Sequence, residues 1–139
     1  MFQTTRRVEF RDTDAAGIVH FSAFFPMMES AEHEMLRSLH IAVLPRPEDG
    51  TLPLTWPRVS ATCDYFSAAR FEDVLDVEVT VSKIGLSSVQ YAVRFVCGGR
   101  DVALGKLTAV CCRLAQHGKL EKAEIPDDIR QRLSQHLHG

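Results

Sequence analysis

At 139 residues the chain has the length of one ordinary domain and can enclose one sizeable core. Its 45% hydrophobic and 24% charged residues separate it from disordered chains, and no run of apolar residues is long enough to span a membrane. Sixteen basic against eighteen acidic residues give a net charge of −2 with no dense Lys/Arg stripe, which disfavours a nucleic-acid partner.

No export signal precedes the first polar residues, so the cytoplasm is the expected compartment. Cys63, Cys97, Cys111 and Cys112 form no C-x-x-C pair, and free, buried thiols are expected.

Residues 3–10, QTTRRVEF, read as a first strand ending in Val8 and Phe10. RDTDAAGIVHF, 11–21, then places two aspartates one residue apart before a small-small-glycine turn. Asp12 and Asp14 share a face if the strand continues to residue 14. If a turn starts earlier, only one need point inward, and a turn or capping role is the simplest use of either.

From Ser22 to His40 the period is helical, with Phe24, Met28, Ala31, Met35 and Leu39 along one face. Pro26 lacks the N–H that an interior turn requires and must sit in the first turn. A start near Ser22, whose hydroxyl can cap free N–H groups, satisfies that requirement.

LPRPEDGTLPLTWP, 44–57, carries four prolines and one glycine and reads as a loop, a candidate wall of a site. Four strand-like runs follow. Val59, Ala61, Cys63 and Tyr65 share one face of the first; Leu75, Val77, Val79 and Val81 share a face of the second, opposite Asp76, Glu78 and Thr80. Val89, Tyr91, Val93 and Phe95 mark the third, Gly98-Gly99 signals a hairpin, and 102–114 is apolar on both faces. Ile129, Leu133 and Leu137, after Pro126, suggest a short terminal helix. The order predicts an α+β domain over 1–139, with an antiparallel five-stranded sheet wrapped around a long central helix.

An acid followed by a small-residue turn and a helix start suits acyl transfer. The first helical N–H groups lack internal partners and can stabilise an oxyanion, while a carboxylate attacks or activates water. Glu29, Glu32 and His33 fall on a helix expected to be largely buried and need partners. HEMLR at 33–37 comes close to a zinc motif, but Arg37 stands at the second ligand position, so no metal site is expected.

FRDTDAAGIVHFSAFFPMMESAEHEMLR resembles the D-x-D-x-x-G-(I/V)-V opening and central helix of hotdog-fold acyl-CoA thioesterases of the 4-hydroxybenzoyl-CoA thioesterase-like group. VSATCDYFSAARFEDVLDVEVTV, 59–81, is similar to strands of that family. The resemblance implies a hotdog fold and hydrolysis of an acyl-CoA thioester. Asp14 would be the catalytic carboxylate, as nucleophile or general base, with the Phe21 backbone N–H polarising the carbonyl and Gly17 keeping the approach open. His20, Phe24, Phe25, Met28 and Trp56 are candidates to line the substrate site, with His20 alternatively a structural histidine and the helix aromatics and methionine alternatively core. Asp12 and Glu29 are candidates to support the site, Glu29 alternatively standing at an interface. Lys83, Gly85, Ser87 and Ser88 are candidates to contact the CoA nucleotide, or form an ordinary solvated loop.

The resemblance further implies a homodimer or homotetramer, its sheets joined side by side with sites at the interface. The substrate would be an aroyl-CoA or a short- to medium-chain acyl-CoA, or the same thioester on an acyl carrier protein. No resident cofactor is expected, because coenzyme A is part of the substrate. Two alternatives stand beside this reading: a hotdog dehydratase or hydratase, and a non-catalytic module binding acyl-CoA or acyl carrier protein.

Overall fold

The computed structural model describes residues 1–44 and 52–138. Its strands are β1 (Phe2–Arg7), β2 (Leu54–Thr55), β3 (Arg58–Tyr65), β4 (Val74–Ile84), β5 (Ser88–Cys97), β6 (Arg100–Val110), β7 (Cys112–Leu114) and β8 (Leu120–Lys122). Its helices are α1 (Phe24–Ser38) and α2 (Asp127–Ser134).

The main sheet has five antiparallel strands in the order β1-β4-β5-β6-β3. The alternation in β4 behaves as expected: Leu75, Val77, Val79 and Val81 are fully buried while Asp76, Glu78 and Thr80 lie on the other face. Val89, Tyr91, Val93 and Phe95 of β5 continue the buried face, and the register sets Val93 beside Gly105 and Phe95 beside Ala103 on β6. Against this face packs the stripe Phe24, Met28, Ala31 and Met35 of α1.

Gly105 permits that approach: a Cβ there would overlap the Met28 side chain. The apolar stripe therefore sits closer to the sheet than any larger residue at 105 would allow.

Local chemistry corrects several element boundaries. β1 ends at Arg7, and Phe10–Asp12 forms a 3₁₀ turn, because the Glu9 N–H donates to the Asp12 carboxylate at 2.8 Å. Asp12 and Asp14 therefore do not alternate on a strand. α1 begins at Phe24 behind a second 3₁₀ turn, Phe21–Ala23, which makes Pro26 its third residue, where no intrahelical N–H is needed. His20 caps that 3₁₀ turn, its Nδ1 accepting the Ser22 N–H at 3.2 Å, while α1 itself, behind Ala23, has no side-chain cap.

The run at 102–114 breaks after Val110, and its tail, β7, joins β2 and β8 in a small second sheet that the sequence pattern did not suggest. Residues 45–51 of the expected loop lie outside the described residues. β3 forms an edge whose faces are mostly open: Val59, displaced by a bulge between Arg58 and Ser60, is 63% exposed, and Tyr65 is 45% exposed. All four cysteines are free, Cys111 and Cys112 buried and the other two half-buried. No helix among the described residues is long and apolar enough to cross a membrane.

Candidate active site

The loop after β1 is held by its own backbone. The Asp14 N–H donates to the Ile18 carbonyl at 2.9 Å, the Gly17 N–H to the Asp14 carbonyl at 3.0 Å, and the Val19 N–H to the Ala69 carbonyl at 2.8 Å. Gly17 closes this turn at φ +79°, which a side chain would disfavour. Nothing lies within 4 Å of where its Cβ would be, so glycine is required here for conformation and not for space.

The two aspartates have separate tasks. Asp12 folds back on Glu9, and its carbonyl accepts the His20 N–H at 2.8 Å, so it braces the loop. Asp14 is half-buried; its Oδ1 accepts the Ala16 N–H at 2.8 Å, and among the described residues its second carboxylate oxygen has no partner. One oxygen fixes the orientation of the carboxylate and the other is unengaged among the described residues.

Asp14 lines a cleft of about 370 Å³ whose walls include Ile18, Phe21, Phe24, Tyr65 and Phe66. A second opening, about 550 Å³ and bordered by Phe10, Ala15, Gly17 and Phe71, reaches the same residue from the other side. Within the first cleft the Tyr65 hydroxyl donates to the Phe21 carbonyl at 2.8 Å, and the rings of Phe24 and Tyr65 lie 5.5 Å apart. The Phe21 N–H, first in the 3₁₀ turn that leads into α1, has no acceptor among the described residues. Asp14 and Phe21, whose N–H is free among the described residues, thus border one mostly apolar cleft.

Of the other expected substrate-site residues, Phe24 is in place. Met28 is fully buried beneath Gly105, and Trp56 is buried in the core, so both build the fold and do not line the cleft. Phe25 packs half-buried against the core. His20 faces a different groove, between β1 and α1, where it borders Asp12 and Ser22. That groove is larger, about 890 Å³, but its Arg6 is engaged by Glu34 and Ser30.

Glu29 is exposed and lies apart from the cleft. The carboxylate that the helix buries is Glu32, which follows Met28 by one turn on the inner stripe. Lys83, Gly85, Ser87 and Ser88 form the β4–β5 turn, where the Gly85 N–H donates to the Ser88 carbonyl at 2.7 Å. That turn sits at the opposite end of β4 from the Asp14 loop, roughly 30 Å away along the strand. Within one chain these residues lie at the far end of the sheet from the Asp14 cleft. Tyr65, Phe66 and Ala69 line the cleft. Alternation along β3 does not separate a site wall from a sheet face at Tyr65, and Phe66 and Ala69 lie in the loop after β3, where no period marks them.

Among the described residues Glu32 is the most strongly perturbed carboxylate. Both of its oxygens lie 2.7 Å from a single nitrogen, Nη2 of Arg58, whose Nε stays buried without a partner. Burial pushes its carboxyl up to about 7 against the opposing pull of Arg58. Burial also raises the neighbouring Tyr91 phenol, with the Glu32 charge adding to the effect. This ion pair is structural and does not border the Asp14 cleft.

A sheet wrapped around a helix, with a carboxylate loop at the helix entrance, defines the hotdog class of thioester hydrolases. The chain belongs to the thioesterase-like superfamily, whose family model matches residues 8–133. A relative from Aquifex aeolicus is 30% identical over 128 residues, covering 92% of this chain and 94% of its own. A 1,4-dihydroxy-2-naphthoyl-CoA hydrolase of Synechococcus sp. is 28% identical, covering 97% of this chain and 90% of its own. The crystal structure of Slr0204, a 1,4-dihydroxy-2-naphthoyl-CoA thioesterase from Synechocystis, superposes with a TM-score of 0.81 at 24% identity, covering 96% of this chain and 95% of that one.

Proposed function

We propose that this protein is an acyl-CoA thioesterase, one hotdog domain that hydrolyses the thioester at the Asp14 cleft. The observation that carries the reading is the shared cleft itself, which combines a carboxylate with one unengaged oxygen and an unfilled Phe21 N–H. In this reading the N–H stabilises charge developing on the thioester oxygen. Asp14 either attacks the carbonyl carbon, expelling the CoA thiolate and leaving an anhydride for water to open, or takes a proton from an attacking water. Both routes yield free acid and CoA. The thiol leaves readily because its own pKa is about 8.5, so no strong general acid is required.

Aromatic walls from Phe21, Phe24, Tyr65 and Phe66 suit an aroyl group and also accept a short or medium acyl chain. Support for the aroyl class comes from relatives named for 1,4-dihydroxy-2-naphthoyl-CoA. Another relative, from Haemophilus influenzae, is named acyl-CoA thioesterase YbgC. A dehydratase would need a histidine beside the acid, whereas His20 faces the other groove.

The active assembly is a homodimer joined at the open edge of β3. Unpaired strand edges seek partners, and this one carries exposed Val59 and Tyr65. Antiparallel pairing of two β3 strands would bring the β4–β5 turn of one copy to the same end as the Asp14 cleft of the other. In that arrangement Lys83, Ser87 and Ser88 could serve the nucleotide of the neighbouring site. Sedimentation should then give twice the 15.6 kDa chain mass.

The test is thiol release from benzoyl-, hydroxybenzoyl-, naphthoyl- and C4–C16 acyl-CoAs, with an acyl carrier protein thioester alongside, run on parent and Asp14→Asn proteins. Hydrolysis by the parent, reduced about a thousandfold or more in the variant, supports the assignment. Equal rates would refute the role of Asp14, and saturable binding without release would favour the binding module.

A further inference from the structure

The peptide that follows the proposed oxyanion donor is gripped at both of its polar ends by side chains. Its carbonyl, that of Phe21, accepts the Tyr65 hydroxyl at 2.8 Å. Its N–H, that of Ser22, donates to Nδ1 of His20 at 3.2 Å, and the Ser22 hydroxyl lies 2.7 Å from the same nitrogen. Tyr65 reaches in from the end of β3, across 44 residues of chain, while His20 reaches from the loop side. The His20 ring also stacks on Phe21, with centroids 4.4 Å apart.

We infer that His20 and Tyr65 are paired positioning residues that aim the Phe21 N–H at the thioester oxygen by fixing the adjoining Phe21–Ser22 peptide plane. The inference rests on the thioesterase reading above. A short 3₁₀ turn is held weakly by its own hydrogen bonds, and a donor tilted out of line loses most of its effect on a developing oxyanion. His20 does this from outside the cleft, without touching substrate. Toward the Ser22 N–H the imidazole Nδ1 takes the acceptor role.

With the Ser22 N–H engaged by His20 Nδ1 and the Ala23 N–H by the His20 carbonyl, Phe21 carries the turn's free backbone donor among the described residues.

The experiment compares Tyr65→Phe, His20→Ala, His20→Asn and the Tyr65→Phe/His20→Ala double variant with the parent. It uses the best acyl-CoA of the panel, after thermal unfolding confirms that each variant is folded. Removing either grip should lower kcat about ten- to a hundredfold with KM changed less than about threefold, because misalignment acts in the transition state. His20→Asn, which keeps a side-chain acceptor at the capping position, should recover most of the loss. The double variant should be little worse than the poorer single one, since both residues hold the same peptide. In an Asp14→Asn background, bound benzoyl-CoA should show a thioester carbonyl stretch shifted to lower frequency, and Tyr65→Phe should reverse that shift.

Parent-like kcat in Tyr65→Phe and His20→Ala, or losses that simply multiply in the double variant, would overturn the inference while leaving Asp14 intact. If the parent releases no thiol from any thioester, the thioesterase reading has failed and the catalytic role of the clamp falls with it. Amide exchange at Ser22 distinguishes the two failures, because protection lost in His20→Ala shows that the grip itself exists.

Discussion

Glu32→Gln removes a carboxyl whose burial outweighs its ion pair. Burial lifts Glu32 from 4.5 to about 7, while Arg58 pulls the other way through a single nitrogen and not through a two-pronged fork. Between those values the folded chain holds a proton that the unfolded chain releases, so stability falls as pH rises through the window. At about 1.4 kcal/mol per pKa unit the full effect is about 3 kcal/mol, present below the unfolded value and lost by the time Glu32 ionises in the folded state. Glutamine has the same shape and cannot ionise. Urea unfolding at several pH values from about 4 to about 8 should therefore show the parent losing about 3 kcal/mol relative to the variant as pH rises, with unchanged m-values. A constant difference would mean that the attraction to Arg58 balances the cost of burial, and a parent that gains on the variant at high pH would mean that it exceeds that cost.

Two further substitutions separate conformation from space. Gly17→Ala should cost about 1–2 kcal/mol through its positive φ alone, and Gly17→Asn about half as much because asparagine tolerates that conformation; chemical denaturation measures both. Equal losses for alanine and asparagine would point to a steric role. Gly105→Ala should destabilise by about 1–3 kcal/mol as Met28 is displaced, and trimming the obstruction with Met28→Ala in the same chain should make the two losses less than additive in thermal unfolding.

The parts of the fold that sequence reveals are those where periodicity and burial coincide. Leu75 to Val81 alternate in sequence and are buried in alternation, and the Phe24–Met35 stripe packs on that surface. β3 has the same alternation, yet it lies at an edge, where pattern cannot say which faces are covered. β2 and β8 are two and three residues long, too short for a period to register. Glu32 could have been separated from Glu29 by helical phase, since it stands one turn after Met28 and less than one turn before Met35. The cap at His20 was masked by the serine two residues later, a commoner capping residue. The contact from Tyr65 to Phe21 joins positions 44 apart, and no local signal encodes it.

The chain's carboxylates Glu32 and Asp14 sit in opposite environments. Glu32 is sealed inside, tied to a cation, and raised so far that its charge is costly. Asp14 is half-open to the cleft, held by one backbone N–H, with no cationic partner among the described residues. A charged partner would fix its second oxygen and compete with the thioester for it, whereas a backbone donor orients the group and leaves that oxygen free. The same economy holds on the other side of the cleft, where side chains grip the peptide beside the oxyanion donor and leave the donor itself unfilled. In both places the fold satisfies the neighbours of the atoms that the proposed mechanism uses and leaves those atoms without partners among the described residues, and preorganised catalysis requires that distribution of hydrogen bonds.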